Sequence, residues 1–525
     1  MQTALRRLDE LAGIDAGDRT VAWLERIAFV FLVLTVVAAP HSIAATQTAW
    51  ITGMFVWIVR LFFKPRVEFR LGALDVALWA FFTWSVITSL TSYAPDISIN
   101  KLRGVAVFLI FYFVVYNVRN RRAAHVLAFT LIASCMVNVL WTPVQRLIGR
   151  GVEIHGLAAN GPLSKAFLTE GDALLEADGK KLRMPEDIVT AVENNEVTKI
   201  KFYRPDFEFV VEVKRADLLA GANAMEKLGV SSWKKSRNWR SSGFYGHYAT
   251  YSEVLQLIAS LVFGLFVASV SVGGFSPLRR RDGEVENSEE GGSRGRRVSP
   301  SLLTASLLFC VAAMSLALLL TVTRASQLAF LISAAAIVVV GLGRRWLFAA
   351  LAVGLPLALI GLFFLQQSRE VGFFDTQDDS IKWRQTVWRE GYDLWTDNPR
   401  HFLLGVGMDS IQRHAREWHL FDDGRLPMGH FHSTPLNLLV ERGLPALLLW
   451  LMVLGIYART MWGALRIPHS AFRTPHSRGI FLGCLGGMIG FVVSGMVHYN
   501  LGDQEVAMVF FLLMGISLRS CEFRV

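Results

Sequence analysis

Long runs of apolar residues recur along the whole chain, and they restrict its fold more than any other feature. A helix needs about 20 consecutive apolar residues to cross the hydrocarbon core of a bilayer. Such runs occupy roughly 27–45, 48–64, 73–93, 104–118, 124–146, 249–273, 301–322, 326–342, 346–366, 434–457, 479–498 and 503–518. With 53% hydrophobic and 18% charged residues, the chain has too few charges to cover a soluble surface. The sequence therefore predicts an all-α polytopic membrane protein with about 12 transmembrane helices.

Lys and Arg concentrate in alternate connections between the runs, and this pattern predicts the orientation. The connection after the second run carries Arg60, Lys64 and Arg66, and similar clusters recur in every second connection downstream. An excess of Lys and Arg marks the cytoplasmic side. We therefore expect both termini in the cytoplasm and the segments 147–248 and 367–433 on the opposite side. The net charge of +10 is spread through these loops, so no nucleic-acid partner is expected.

The same pattern divides the chain into six segments. They are a cytoplasmic N-terminal segment (1–26), helices one to five (27–146), an extracytoplasmic insert (147–248), helices six to nine with a cytoplasmic linker (249–366, linker 276–300), a large extracytoplasmic loop with an interfacial helix (367–433), and helices ten to twelve with a cytoplasmic tail (434–525). The linker is rich in charge, Gly and Ser and has no periodicity, which indicates a flexible connection.

Residues 152–219 within the insert predict a small soluble α+β domain. Apolar and polar residues alternate on both sides of the turn at 204–206, which predicts two strands, and Pro185 starts a predicted short helix. The stretch GPLSKAFLTEGDALLEADGKKL, followed by PEDIVTAV and VTKIKFYRPDFEFVVEV, resembles bacterial PDZ domains of the periplasmic protease type. The resemblance implies a docking or scaffolding role toward a protein partner. A spacer that positions the next helix is the alternative.

Two arginines stand at the predicted outer membrane surface. Arg240 precedes the sixth run in a turn that contains Gly243, Gly246 and His247, and Arg324 lies in the hairpin between the seventh and eighth runs. Arginine is disfavoured in short loops on that side, so its presence predicts an anion held at the membrane surface. A membrane-flanking anchor at Arg240 and a hairpin cap at Arg324 are the structural alternatives.

A third arginine lies in the large outer loop. Ile381, Trp388, Tyr392 and Trp395 share one face at helical spacing, which predicts a helix lying along the membrane interface. Arg384 is expected to project from that face and to reach lipid phosphate. A snorkelling arginine is the alternative.

Two histidines stand immediately before the tenth run. His430 and His432 could ligate a metal, but no third ligand follows at a telling spacing. A neutral imidazole, with an ordinary pKa of about 6.5, can instead accept a hydroxyl proton. Ser433 or Thr434 is the expected cap of the following helix, with Pro435 near its first turn.

These residues carry a family resemblance. His432-Ser433, followed after nine residues by Gly443, resembles the His-(Asn/Ser/Gln)-x9-Gly-x-x-Gly signature of the O-antigen ligase and polymerase superfamily, with Ala446 in place of the last Gly. The Arg-x-x-Gly entry of the sixth run, the Thr-Arg pair in TRASQ and the Arg…Trp…Asn-Pro…Gly-x-Gly run from 384 to 407 are also similar. The resemblance covers nearly the whole chain except the PDZ-like insert.

The resemblance implies a metal-independent, inverting glycosyltransferase with a GT-C-like membrane fold. Such enzymes work on the periplasmic face of the bacterial inner membrane, where they move a glycan from undecaprenyl diphosphate to lipid A-core, another repeat unit or a protein. Arg240 and Arg324 match the arginines that hold the diphosphate, and Arg384 is a further candidate. His432 matches the histidine that activates the acceptor. The accessory candidates are His430, His247 and Ser433. No metal or cofactor is expected, and membrane lipids are expected partners.

Other functions stay open on the residues alone. A polymerase of the same superfamily would share the donor half-reaction. A lipid-linked sugar transporter would need ionisable residues near the bilayer midplane, and the chain largely lacks them. A sensor or assembly scaffold would use the insert but would leave the arginines and the histidine without a role.

Overall fold

A computed structural model describes residues 2–15, 17–69, 71–204, 207–237, 239–273, 300–342, 379–426, 429–466 and 475–520, with isolated positions 348, 352, 354 and 356. Its helices, in chain order, are α1 (Gln2–Ala12), α2 (Arg19–Ala38), α3 (Ile43–Leu61), α4 (Ala73–Leu90), α5 (Pro95–Val105), α6 (Leu109–Asn117), α7 (Arg121–Ile148), α8 (Pro162–Lys165), α9 (Pro185–Asn194), α10 (Ala224–Leu228), α11 (Tyr248–Gly273), α12 (Pro300–Leu320), α13 (Arg324–Gly341), α14 (Asp379–Thr396), α15 (Pro399–Leu404), α16 (Ile411–His414), α17 (Phe421–Gly424), α18 (Thr434–Leu465), α19 (Pro475–Gly495) and α20 (Gln504–Arg519). The strands are β1 (Arg150–Leu157), β2 (Ala173–Ala177), β3 (Lys180–Lys181), β4 (Val197–Arg204), β5 (Phe207–Lys214) and β6 (Val230–Ser236).

Nine helices among the described residues are long and apolar enough to cross a membrane. They are Arg19–Ala38, Ala73–Leu90, Pro95–Asn117, Arg121–Ile148, Tyr248–Ser271, Leu302–Leu320, Arg324–Gly341, Thr434–Leu465 and His476–Gly495. The third combines α5, one 3₁₀ turn and α6 into a single span. The prediction of a mostly helical, multi-pass membrane protein is confirmed.

The expected number of spans is only partly tested. The apolar runs 48–64 and 503–518 correspond to α3 and α20, which are helices but do not belong to the nine. With 16 residues, α20 is shorter than the roughly 20 that a span needs. The expected span 346–366 and the linker 276–300 lie almost entirely outside the described residues, as does the start of the loop 367–433. A total of about 12 helices stays a prediction.

The chain divides into two compact units. The first unit contains Met1–Val137, Ala249–Leu318 and Thr323–Val525, and the second contains Asn138–Tyr248 with Leu319–Val322.

The second unit is built around an antiparallel sheet with the strand order β5-β4-β2-β1-β6, and β3 pairs with β2. The predicted pair of strands is confirmed as β4 and β5, in which Phe202 lies opposite Phe209. The predicted helix is α9, with Pro185 in its first turn. Both pack on one core that includes Ile154, Ile188 and Phe202, so the alternation of apolar residues correctly indicated the buried face.

The sheet extends beyond the 152–219 range expected for the PDZ-like domain. β6 pairs with β1, and this pairing places Ser236 opposite Arg150. The two ends of the insert therefore leave the sheet side by side, which is the geometry that lets a domain be inserted into a host chain. The resemblance to PDZ domains is neither confirmed nor contradicted by this sheet order.

Close contact between two helices of the first unit depends on glycine. A Cβ atom at Gly264 of α11 would lie 2.2 Å from the backbone nitrogen of Gly483 in α19. A Cβ at Gly483 would lie 2.5 Å from the Cα of Leu261, and one at Gly479 would lie 2.6 Å from the Cα of Leu265. Small residues allow helix backbones to approach this closely in membranes, where packing and not hydrophobicity drives association.

We expect Gly483→Ala to lower the thermal unfolding midpoint in detergent, because overpacking a backbone contact costs about 1–3 kcal/mol. Gly463→Ala is the matched control, since a Cβ there meets nothing within 4 Å. An unchanged midpoint in Gly483→Ala would contradict the close packing of α11 on α19.

Candidate functional site

The helix that follows the two histidines is broken near its start. Within α18, Gly443 adopts φ 74° and ψ 176°, and Pro445 follows two residues later. The backbone angles of Gly443 interrupt the helical hydrogen bonds, and Pro445 has no N–H to donate. The break frees the carbonyls of Val440, Glu441 and Arg442 from their usual partners one turn ahead.

Three donors from other segments occupy these carbonyls. The hydrogen bonds run from Val406 N–H to Val440 (2.8 Å), from Gly407 N–H to Glu441 (2.9 Å) and from the Trp84 indole to Arg442 (2.8 Å). Gly405 and Gly407 both have positive φ, 69° and 98°, and a Cβ at Gly405 would lie 2.4 Å from the backbone of α18. The segment 405–407, called the strap below, therefore supplies two of the hydrogen-bond donors that the broken helix lacks.

The backbone around His432 is held by side chains from two helices. The Trp388 indole of α14 donates to the carbonyl of Phe431 at 2.8 Å. The side-chain amide of Asn437 donates to the Ser433 carbonyl at 2.8 Å and accepts from Phe431 N–H at 3.3 Å. His432 adopts φ 46°, which is uncommon for a residue with a side chain. Such a conformation persists only where its surroundings enforce it.

The rings of His430 and His432 lie together between two aromatic residues. Their centroids are 4.1 Å apart, Trp383 is 4.6 Å from His432, and Tyr499 is 5.7 Å from His430. The His432 N–H donates to Nδ1 of His430 at 3.1 Å. An Nδ1 that accepts carries no proton, so this bond favours the neutral form of His430 with its proton on Nε2.

A buried polar network underlies the histidine pair. The Tyr499 hydroxyl donates to Oε2 of Glu441 at 3.1 Å and accepts from Nη2 of Arg442 at 3.1 Å, and Arg442 also donates to Ser85. Burial, reinforced by the Glu441 carboxylate, raises the pKa of the Tyr499 hydroxyl above its usual value. Tyr499 therefore keeps its proton and remains a donor. Glu441, Arg442 and Tyr499 were not among the residues predicted from the sequence to form the site.

The start of α18 agrees with the sequence. Ser433 is the N-cap residue and Pro435 lies in the first turn, although the Ser433 side chain makes no capping hydrogen bond. Thr434 instead joins the turn before α20, because its N–H donates to the His498 carbonyl and its hydroxyl donates to Asn500. This contact brings the segment 498–500 to the site.

A second buried acidic group lies next to this segment. Glu253 of α11 is 4% exposed in its side chain, and its Oε1 lies 3.8 Å from Nδ1 of His498. Thr250, one turn earlier on α11, donates to Asp503 at 2.6 Å. His498, Glu253 and Asp503 were not predicted as site residues, because the sequence does not show that these distant segments meet.

Arg384 lies on α14, which confirms the predicted helix. Val387 and Leu394 of this helix belong to one buried cluster with Phe431, and Gly391 lets the Phe431 ring approach, since a Cβ there would lie 2.8 Å from the ring. Arg384 follows Trp383, whose ring contacts His432. The placement of α14 along a membrane surface stays a prediction.

Arg324 is the first residue of α13 and follows the N-cap Thr323. Ser326 and Ser252 are joined by a hydrogen bond of 2.9 Å, which fixes this end of α13 to α11. A cation is unfavourable at the positive end of a helix dipole, whereas an anion is favourable there. An anionic ligand would therefore relieve the repulsion at this helix end.

Arg240 and His247 belong to the second unit. The guanidinium of Arg240 lies over the ring of Tyr248, 4.5 Å from its centroid. The preceding Trp239 is buried against Tyr203 of the sheet, while His247 is exposed. Arg324, Arg384 and His432 belong to the first unit, so the expected meeting of all these residues at one site stays a prediction.

We expect Gly443→Ala to detach the strap from α18, because a Cβ would lie 2.0 Å from the Leu403 carbonyl oxygen at a positive φ. Hydrogen exchange of the Val406 and Gly407 amides should accelerate. Gly455→Ala in the same helix is the control, since a Cβ there meets nothing within 4 Å. Equal protection in both variants would refute the role assigned to the glycine.

Comparison with known proteins gives one family. Residues 309–451 match the family model described as O-antigen ligase, and no curated protein matches the chain. The matched range contains Arg324, Arg384, His430, His432 and the break at Gly443, and it excludes the insert. Among the described residues, no group of three or more His, Cys, Asp or Glu side chains is arranged to hold a metal ion. Residues 309–451 are thus similar to the O-antigen ligase domain, and this match supports the resemblance to the O-antigen ligase superfamily.

Proposed function

We propose that the protein is a metal-independent, inverting glycosyltransferase. It transfers a glycan from undecaprenyl diphosphate to an acceptor hydroxyl on the periplasmic face of the inner membrane. The observation that carries the proposal is the His430–His432 pair, which is held between Trp383 and Tyr499 inside the matched O-antigen ligase domain.

His432 is proposed as the base that deprotonates the acceptor. Its ring lies edge-on to Trp383 and next to His430, and a neutral imidazole held there can accept the hydroxyl proton. Proton removal by a positioned base contributes typically about 10²–10⁴-fold to the rate. A single displacement by the activated hydroxyl would invert the anomeric carbon.

The arginines are proposed to bind the diphosphate. Cleavage of the anomeric C–O bond leaves negative charge on the leaving group, and guanidinium groups neutralise phosphate through paired hydrogen bonds. The position of Arg324 at a helix N-terminus supports this role, and for Arg384 the support is its neighbour in the sequence, Trp383, whose ring contacts His432. Arg240 is assigned by resemblance, with Tyr248 supporting its guanidinium.

The buried charges of the spans support surface chemistry over transport. The buried carboxylates of the described spans are Glu25, Asp75, Glu253 and Glu441, and each lies within the first eight residues of its helix. A carrier would need such groups near the midplane.

A cell-free assay with lipid-linked oligosaccharide and defined acceptors tests the proposal. New glycan on lipid A-core supports a ligase, and longer lipid-linked chains support a polymerase of the same superfamily. Sugar movement across vesicles without transfer would contradict both.

His432→Ala should lower transfer by about 10²–10⁴-fold and leave donor binding intact, because only the proton acceptor is lost. His419→Ala is the matched control, since His419 lies in the same loop with its side chain 81% exposed. Wild-type turnover in His432→Ala would remove the proposed base.

Arg324→Lys should weaken donor binding roughly tenfold or more, because an ammonium keeps the charge but cannot make the paired contact. The measured quantity is the donor KM, with transfer to a fixed acceptor as the readout. Arg425→Lys, at an exposed position of the same domain, should behave like the wild type. An unchanged donor KM in Arg324→Lys would count against diphosphate binding there.

A further inference from the structure

A cavity with no part in the proposed reaction lies at the opposite end of the first unit. Its volume is ≈ 270 Å³, and it lies where α2 begins and where α3 and α6 end. α20 runs from the histidine pair towards the cavity. It begins five residues after Tyr499, and Arg519 at its end donates to the carbonyl of Val118. With a rise of 1.5 Å per residue, this helix spans about 24 Å. By the distribution of basic residues, this end faces the cytoplasm.

A buried ion network forms one wall of the cavity. Arg60, which is 4% exposed, donates to Glu25 at 2.8 Å, and Arg119 contacts the same carboxylate at 2.6 Å. Arg60 also donates to the carbonyls of Phe63 and Pro65. One carboxylate therefore serves two guanidinium groups, and the network holds both in fixed positions with one positive charge in excess.

The remaining lining adds to the positive charge at the mouth. Arg66 lines the cavity and is exposed. Asp15 and Glu25 are the acidic residues among the described lining, which also includes Arg60, Arg66 and Arg119. Three guanidinium groups therefore face two carboxylates, and an anion fits this balance.

Aromatic and apolar side chains adjoin the basic lining. Trp57 stacks on Tyr116 with ring centroids 5.4 Å apart, and Phe69 meets both rings edge-on. In the sequence, Phe62 follows Trp57 by five residues and is 84% exposed, and Leu71 follows Phe69 by two and is 75% exposed. Aromatic residues gather at the depth of the lipid headgroups, so the cavity combines a basic interior with a rim suited to acyl chains.

We propose that this cavity binds the phosphate of an anionic glycerophospholipid, whose acyl chains lie on the rim formed by Phe62, Phe69 and Leu71. Guanidinium groups bind phosphate oxygens in pairs. Basic pockets between transmembrane helices on the cytoplasmic side recognise anionic head groups in this way. Free phosphate would use the basic lining but would leave the apolar rim without a partner, and this favours the lipid. The site is independent of the proposed glycosyl transfer.

Native mass spectrometry of the full chain in detergent tests the site. The probes are phosphatidylglycerol and phosphatidylcholine with identical acyl chains, and phosphatidylglycerol should be retained preferentially. Arg66→Ala should reduce its retention about fivefold, because one basic residue near a membrane surface contributes about 1 kcal/mol. Arg66→Lys should reduce retention less than Arg66→Ala does, because the ammonium keeps the charge but loses the paired contact. Arg122→Ala is the control, since Arg122 is exposed at the start of α7 and lies outside the lining.

Three results would overturn the proposal. The first is equal retention of the two lipids. The second is retention of phosphatidylglycerol that neither Arg66→Ala nor Arg66→Glu reduces, while both variants unfold at the wild-type midpoint. The third is displacement of phosphatidylglycerol by millimolar inorganic phosphate to the same extent in the wild type and in Arg66→Ala, which would assign the cavity to a free anion. Preferential retention that depends on Arg66 and resists inorganic phosphate supports the lipid site.

Discussion

Backbone carbonyls without donors are costly in an apolar environment, and the candidate site is organised around this constraint. The break at Gly443 leaves three carbonyls at the start of α18 in need of partners. The strap at 405–407 and the indole of Trp84 supply them. The same hydrogen bonds that satisfy the helix therefore fix the preceding loop to it, and this loop follows α14, whose Trp383 contacts His432.

The histidine pair depends on this framework at several levels. Asn437 and Trp388 hold the turn that contains His432, and Tyr499 connects the pair to the buried Glu441 and Arg442. Buried charged groups are tolerated when each has a partner, and such satisfied networks make a site rigid. At the other end of the same unit, Arg60 and Arg119 around Glu25 follow the same rule.

Local patterns allowed much of the fold to be predicted. Apolar run length predicted the spans, alternation predicted β4 and β5, and the Ser-Thr-Pro sequence predicted the start of α18, with Ser433 as its cap. The packed side of α14 was harder to predict, because Gly391 carries no hydrophobic signal and contributes by letting the Phe431 ring approach. The extent of the insert depended on β6, whose partner β1 lies far away in the sequence.

The sequence by itself determined the class of the molecule, its candidate site residues and its resemblance to a superfamily, because run length, charge distribution and motif spacing are properties of neighbouring residues. It placed nine residues between Ser433 and Gly443, directly after His432, and thereby indicated the motif. Only the tertiary structure decided that Tyr499 lies beside His430, that Glu253 meets His498, and that one carboxylate serves Arg60 and Arg119. These contacts join segments distant in the chain, and the energy that selects them comes from packing and from the need to pair buried polar groups, which no local pattern records.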